Sequence, residues 1–258
     1  FLATNNATEL YENFSLELDG SNDYIDCGNV LDQTGTDAFS VSGWLKYDTT
    51  KSNTLVGKMN SSFVGYQIYI NAANKLKFLL QGTGNLSATG ATALSTNTWY
   101  HIVVTYDGTG ATSGINFYIN GTSETFTGSG SNSGGVSNSE NFEIGARTGT
   151  SDVLDGSISN VSIYSSALTS AQVTTLYNSG KPFDLNTFAV TPVSWFRLGA
   201  SGSSFDSTNW TILDEISTSA NNGTSANMTQ ADLVDGVGAT GNGVSSGMSS
   251  GTNRSDAP

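Results

Sequence analysis

Between Trp99 and Thr122 the chain reads WYHIVVTYDGTGATSGINFYINGT. Ile102, Val104 and Tyr106 alternate with His101, Val103 and Thr105, and Ile115, Phe117 and Ile119 alternate with Asn116, Tyr118 and Asn120. A period of two predicts half-buried β-strands. Asn120-Gly121 follows at once, and both residues tolerate the positive φ of a two-residue hairpin turn. The same period predicts strands at Phe14–Leu18, Tyr24–Cys27, Leu55–Met59, Tyr66–Ile70 and Leu76–Leu80, with Asn71–Asn74 as a corner. Phe39–Tyr47 alternates through Val41 and is expected to change phase at Gly43-Trp44, as a β-bulge would make it do. Phe142 with Ile144, and Gly156–Tyr164, predict two further strands.

One stretch has a helical pattern. Thr169 with Gln172 forms a capping box, and Leu168 with Val173 the hydrophobic staple around it. Gly180 and Pro182 supply stop signals, and Val173, Leu176 and Tyr177 form the stripe to be buried. Thr127–Ser139 is nearly all Gly, Ser, Asn and Thr and predicts an exposed, mobile loop. After residue 182 the strand pattern persists at 193–199 and Trp210–Ile216, then thins into small polar residues. The expected organisation is an arm at 1–13, a sandwich at 14–182 and a polar extension at 183–258. That extension is too poor in apolar residues to stand alone, so it packs on the sandwich or on a neighbouring chain.

Composition agrees with an all-β protein. Charged residues make up 12% of the 258, and the 30 Gly sit among abundant Ser, Thr and Asn, which disfavour helices. A net charge of −13 and a pI near 4.1 argue against nucleic-acid phosphates and anionic membranes as partners. No apolar run is long enough for a spanning helix, so membrane insertion is not expected. The opening FLATNNATELYENF lacks the basic start and apolar centre of a secretion signal. Cys27 is the lone cysteine, which excludes an intrachain disulfide and argues mildly against a secreted animal module. Sequons such as Asn6, Asn13, Asn60, Asn85, Asn120 and Asn160 are expected by chance in a chain of this composition.

Three segments carry a family resemblance. FSLELDGSNDYIDCG at 14–28, WYHIVVTYDG with FYINGT at 99–122, and GSISNVSIYSSALTSAQVTTLYNSG at 156–180 resemble, in order and spacing, the laminin-G-like branch of the concanavalin A-like jelly rolls. The resemblance implies an antiparallel β-sandwich with one short helix. Residues 193–224 resemble the segment that normally precedes the opening strand. They therefore either begin a truncated second repeat or give terminal strands to the same sandwich. This order, with NMTQADLVDG near the end, looks like structural proteins of marine tailed phages.

Catalysis has no framework in the sequence. Glu17-Leu18-Asp19 begins a glycosidase-like carboxylate row, but no third acid follows. His101 is the lone histidine and sits mid-strand, and one Cys with one His cannot build an N/S zinc site. GTGATSG at 108–114 enters a strand rather than a helix, which rules out a phosphate loop. The resemblance implies a structural Ca²⁺ at the rim, with Asp19, Asp23 and Asp155 as its donors; turn-capping is their other role. Carbohydrate would need outward aromatics among polar groups. Tyr66, Tyr69, Tyr118 and Trp210 are the candidates, with Tyr118 foremost because it alternates away from the Ile115-Phe117-Ile119 face. The expected role is that of a non-enzymatic structural or adhesive protein on a virion surface, a capsid decoration or fibre component. It would be oligomeric, contacting other assembly subunits and glycans of a host surface or mucus. A secreted Ca²⁺-dependent lectin module at an extracellular surface and a filament subunit are the alternatives. On the leading reading residues 183–258 act as an assembly strap, and the sandwich stays folded without them.

Overall fold

The computed structural model describes residues 14–199, 203–216 and 221–237; the expected arm at 1–13 and the end of the tail lie outside them. In chain order the strands are β1 (Phe14–Asp19), β2 (Tyr24–Asp26), β3 (Phe39–Tyr47), β4 (Asn53–Met59), β5 (Gly65–Ile70) and β6 (Lys75–Gly82). Then come β7 (Gly84–Ala93), β8 (Tyr100–Tyr106), β9 (Ile115–Ile119), β10 (Thr122–Glu124), β11 (Phe126–Ser129), β12 (Glu143–Ile144) and β13 (Asp155–Tyr164). Helix α1 (Ser170–Tyr177) is followed by β14 (Ser194–Phe196), β15 (Ser203–Phe205), β16 (Trp210–Ile212), β17 (Gly223–Ala226) and β18 (Leu233–Asp235).

These strands make two antiparallel sheets. The first runs β10-β9-β8-β3-β13-β1-β18, with β14 also pairing β13, and the second β11-β7-β6-β5-β4-β12-β2-β17-β16-β15. Their inner faces meet over Leu16, Phe39, Val41, Ile68, Phe78, Val104, Phe117, Ile158 and Phe196, all at most 1% exposed. Phe39 lies at the centre, its ring 5.6 Å from Tyr66, 5.8 Å from Tyr106 and 6.0 Å from Phe78. This is the all-β jelly-roll sandwich that the resemblance implies.

The central hairpin forms as its residues dictate. Asn120 and Gly121 have φ of 52° and 74°, and Thr122 pairs with Ile119. Thr169 accepts from the Gln172 N–H, while the Gln172 amide oxygen accepts from the Thr169 N–H. α1 thus starts at its capping box and ends at Asn178 in the left-handed region.

Four expectations are corrected. β3 does not change phase: Phe39, Val41, Leu45 and Tyr47 all face the core. The bulge lies on the partner strand, where pairing slips between Ser159 and Ser162 and Asn160 has φ of 49°. A Cβ on Gly43 would come within 2.9 Å of Leu55 and 3.3 Å of Val161, so glycine there makes room for the side chain the bulge delivers. β7 escaped notice because two of its three inward positions, Ala88 and Gly90 beside Leu86, are small. The stretch 127–139 is no free loop. It includes β11 on β7, Val136 is buried, and Asn132 donates to the Gly84 carbonyl.

The fourth correction concerns the extension. β14 pairs with β13, β17 with β2 and β18 with β1, so residues 194–235 complete both sheets. Of the two roles expected for this segment, terminal strands of the same sandwich is the one the pairing assigns. Phe196, Leu198, Trp210, Ile212 and Met228 belong to the main core. Residues 14–182 are therefore an incomplete sandwich, lacking strands of both sheets and part of the core.

Candidate functional site

The outer faces of the two sheets differ. On the first, Val103, Tyr118 and Tyr164 are covered by Leu168, Val173 and Leu176 of the α1 segment and by Leu185, Phe188 and Trp195. Tyr118 points away from the core as its alternation requires, yet it is 7% exposed because this second apolar layer caps it. His101 lies beneath the same cover. Its Nε2 is 2.9 Å from the Ser42 hydroxyl, its ring stacks near Trp44 and Tyr177, and burial pushes its pKa down to about 3. It is a neutral structural residue, out of reach of any substrate. A shallow cleft of about 600 Å³ beside α1, lined by Asn120, Thr122, Thr174, Tyr177 and Asn178 among others, contains no charged group.

The outer face of the second sheet is polar. Gln67, Gly57, Glu143, Asp26 and Thr224 are successive partners on β5, β4, β12, β2 and β17, and the neighbouring Ile68, Ile144 and Ile25 face the core. Gly57 breaks the row for a steric reason. A Cβ there would lie 2.6 Å from the Ala146 carbonyl oxygen and 2.7 Å from Arg147 Cα. The bare backbone lets the segment after β12 fold back across the face and deliver Arg147.

Arg147 is held by several bonds. Its N–H donates to the Ser151 carbonyl, and its Nε donates to Asp152 Oδ2 at 2.8 Å. Gln67 Nε2 donates to the same oxygen at 3.3 Å and to the Thr54 hydroxyl at 2.9 Å. Thr54 in turn donates to the Asp152 carbonyl at 2.7 Å. The guanidinium carbon lies 4.7 Å from the centre of the Phe63 ring, within cation–π range.

Phe63 is the unusual residue of this face. It is 50% exposed, and among the described residues only Leu213 is another large apolar side chain so open to solvent. Its φ is 62°, a left-handed conformation that is rare for a bulky residue and costs about 1–2 kcal/mol. Asn60 enforces it: its side-chain oxygen accepts from the N–H groups of Ser62 and Val64, and its backbone carbonyl accepts from the Phe63 N–H. Asn138 donates to the Val64 carbonyl from the other side.

Beside Arg147 is a cavity of about 160 Å³ lined by Glu140, Asn141, Glu143, Thr148 and Gly149. Both Glu143 carboxylate oxygens accept from one donor, the Gly149 N–H, at 2.8 and 2.7 Å. Burial pushes the Glu143 pKa up to about 7, with Asp26 and Glu140 adding to the rise and the Gly149 N–H opposing it. Asp26 accepts from Gly28 and Asn141. Lys58, wholly buried, donates to Asn29 and to the Glu140 carbonyl and pairs with Asp32 at 3.3 Å, which fixes the segment carrying Glu140.

Of the four aromatics expected to meet sugar, only Tyr69 lies here. It is 9% exposed, with the charges of Asp152 and Arg147 acting on its hydroxyl. Tyr66 is a core residue whose hydroxyl donates to the Leu31 carbonyl, and Trp210 is a core residue whose indole N–H donates to Thr229. Tyr66, Tyr118 and Trp210 offer no ring face to solvent. Phe63 was missed, although a large apolar residue inside the polar turn NSSF is a visible signal.

The rim carboxylates do not fit a calcium ion. Asp19 accepts from the Ser21 and Asn22 N–H groups, Asp23 accepts from the Asp19 N–H, and Asp155 accepts from the Thr49 hydroxyl. The Lys51 ammonium donates to the Gly20 carbonyl between them, and a Cβ on Gly20 would lie 2.6 Å from both Lys51 Nζ and Asp155 Cβ. Burial raises the Asp19 pKa, but its N–H donors and the Lys51 charge outweigh that and lower it; burial holds Asp23 up at about 6. Among the described residues no three acidic, His or Cys side chains gather as a metal site. A lysine already supplies the cation at this rim.

A two-sheet antiparallel sandwich with a capped outer face on one side and a polar outer face on the other is a lectin-type jelly roll. Residues 19–174 match the laminin G family model described as the concanavalin A-like lectin/glucanases superfamily, and the chain belongs to that family. No curated protein matches the sequence significantly. Among solved structures, a candidate carbohydrate-binding protein from Bacteroides ovatus is similar with a TM-score of 0.61 at 22% identity, over 85% of this chain. The match spans 59% of that protein's length. A sialidase CBM40 from Ruminococcus gnavus, bound to α2,3-sialyllactose, gives 0.48 at 12% identity over 63% of this chain and 96% of its own. The heptameric SAP-like pentraxin of Limulus polyphemus gives 0.45 at 14%, over 65% and 82%.

Proposed function

We propose that the chain is a non-catalytic carbohydrate-binding sandwich whose binding face is the outer surface of the second sheet around Phe63 and Arg147. The observation that carries this reading is Phe63. Its exposed ring and its left-handed backbone both act against stability, and the Asn60 bonds exist to hold them. Strain kept at an exposed aromatic beside a polar cavity fits a ligand platform. A sugar ring would lay its C–H face on Phe63 and its hydroxyls toward Glu143, Asp26 and Asn141. Family membership supports the class of ligand, and the burial of His101 removes the chain's one imidazole as a general base.

In this reading the sandwich is displayed on an assembled particle as a decoration or fibre subunit. One buried cysteine, with burial holding its thiol pKa well above the ordinary range, suits a chain folded in a reducing compartment and then exposed. Phe63→Gly tests the face. It trades about 1–2 kcal/mol of backbone strain against the chain entropy that glycine adds and the lost Arg147 contact, so the fold is kept while binding on a glycan array and by calorimetry is lost. Unchanged binding in Phe63→Gly would remove the face from consideration.

A further inference from the structure

We infer that the ligand of this face is an uncharged, polyhydroxylated sugar rather than a sialylated, sulfated or uronic-acid glycan. This rests on the preceding assignment of the Phe63 face to sugar binding. The guanidinium that an anionic sugar would seek is already charge-paired: Arg147 gives its Nε to the Asp152 carboxylate, lies against Phe63 and has a side chain only 14% exposed where it lines the cavity. Around it stand four carboxylates. Glu140 and Glu143 line the cavity, Asp26 neighbours Glu143 across the β2–β12 pair, and Asp152 holds Arg147. Lys58 is buried and already bonded to Asn29, the Glu140 carbonyl and Asp32, so the next solvent-accessible cation on this face is Lys77. It sits on β6 opposite Tyr69, three strands from Glu143, roughly 14 Å away at the usual strand spacing.

The same carboxylates have spare capacity for neutral donors. An ionised carboxylate has about four acceptor sites, and Glu143, ionised above about pH 7, uses its two oxygens on a single N–H. Sugar hydroxyls donating to these oxygens form charge-assisted bonds, about twice as strong as neutral ones. A ligand carboxylate or sulfate would bring acceptors to acceptors and negative charge to a chain of net charge −13. The cavity is also smaller than the roughly 300–1,000 Å³ that enclose a drug-sized ligand. It takes one edge of a sugar lying on Phe63, with the rest of the glycan in solvent.

The test prints neutral oligosaccharides beside sialylated, sulfated and uronic-acid counterparts of the same core. Wild type, Phe63→Gly and Glu143→Gln are probed at low and high salt. The expected result is Phe63-dependent binding of neutral members, at least tenfold weaker binding of the anionic counterparts, and a gap that narrows at high salt or in Glu143→Gln. Phe63-dependent binding of anionic members as tight as or tighter than neutral ones overturns this inference and keeps the face. No Phe63-dependent binding in either series overturns the face itself, and the inference with it.

Discussion

Phe196→Ala asks whether the C-terminal strands belong to the core. Phe196 is fully buried in β14, pairs across from Val161 and stacks 6.4 Å from Phe142. Truncating a buried Phe to Ala costs about 3–5 kcal/mol, from lost transfer energy and the cavity left behind. At 2–4 °C per kcal/mol for a chain of this size, the melting temperature falls by about 6–20 °C. Phe78→Ala, on β6 of the second sheet and equally buried, is the control. Urea unfolding followed by tryptophan fluorescence should give one transition for both variants, with midpoints lowered alike. A cost below about 1 kcal/mol for Phe196→Ala, or a separate early transition, would refute the claim that residues 194–235 complete the sheets. The same logic makes a chain ending at residue 182 unable to fold as a stable monomer.

Glu143 predicts a pH signature. Its folded pKa of about 7 lies above the ordinary value of 4.5, so the folded state holds its proton longer than the unfolded chain. The side chain's contribution is therefore most favourable below about pH 4.5, declines as pH rises, and is fully unfavourable above about pH 7. Glu143→Gln keeps an acceptor for Gly149 and removes the charge. Its advantage over wild type in denaturant midpoint should grow by about 2 kcal/mol between about pH 5 and pH 8; a constant difference would show that Glu143 is not buried as described. At the rim, added calcium or chelator should leave the wild-type melting temperature in place, whereas Lys51→Met should lower stability by about 1 kcal/mol through the lost bond to the Gly20 carbonyl. A calcium-induced rise of several degrees in wild type would restore the carboxylates as ligands.

Strands with a clean period of two were legible, because a sheet with one face on the core stamps that period on its sequence. The capping box fixed α1 from four residues. β7 was not legible, since Ala88 and Gly90 bear little apolar weight although Ala88 is fully buried. Tyr118 was placed on the correct side of its strand and still misjudged, because alternation tells which face a residue takes and not what later covers that face. The site was hidden for a related reason. Gly57 and Arg147 lie 90 positions apart in sequence, and only their close packing joins them. The pairing of β18 with β1 and of β17 with β2 likewise left little signal, as β17 is GTSA and β18 is only three residues long.

β1 has consequences for how the molecule is made. It is held between β13 and β18, and the Ser15 hydroxyl bonds the Asp235 carbonyl across 220 positions. A ribosome adding 5–20 residues per second needs roughly 10–45 s to cover that distance. Until β13 is made, about 140 positions on, Leu16 and Leu18 have no sheet to join, and the β18 side of β1 stays open for the rest of the interval. Such non-local pairing belongs to slow folding, in ms to s, and its β1–β18 half waits for β18. The nascent chain is thus a client for holding chaperones until β18 has been made, and a translation arrest before residue 233 leaves the β18-facing edge of β1 open to other chains.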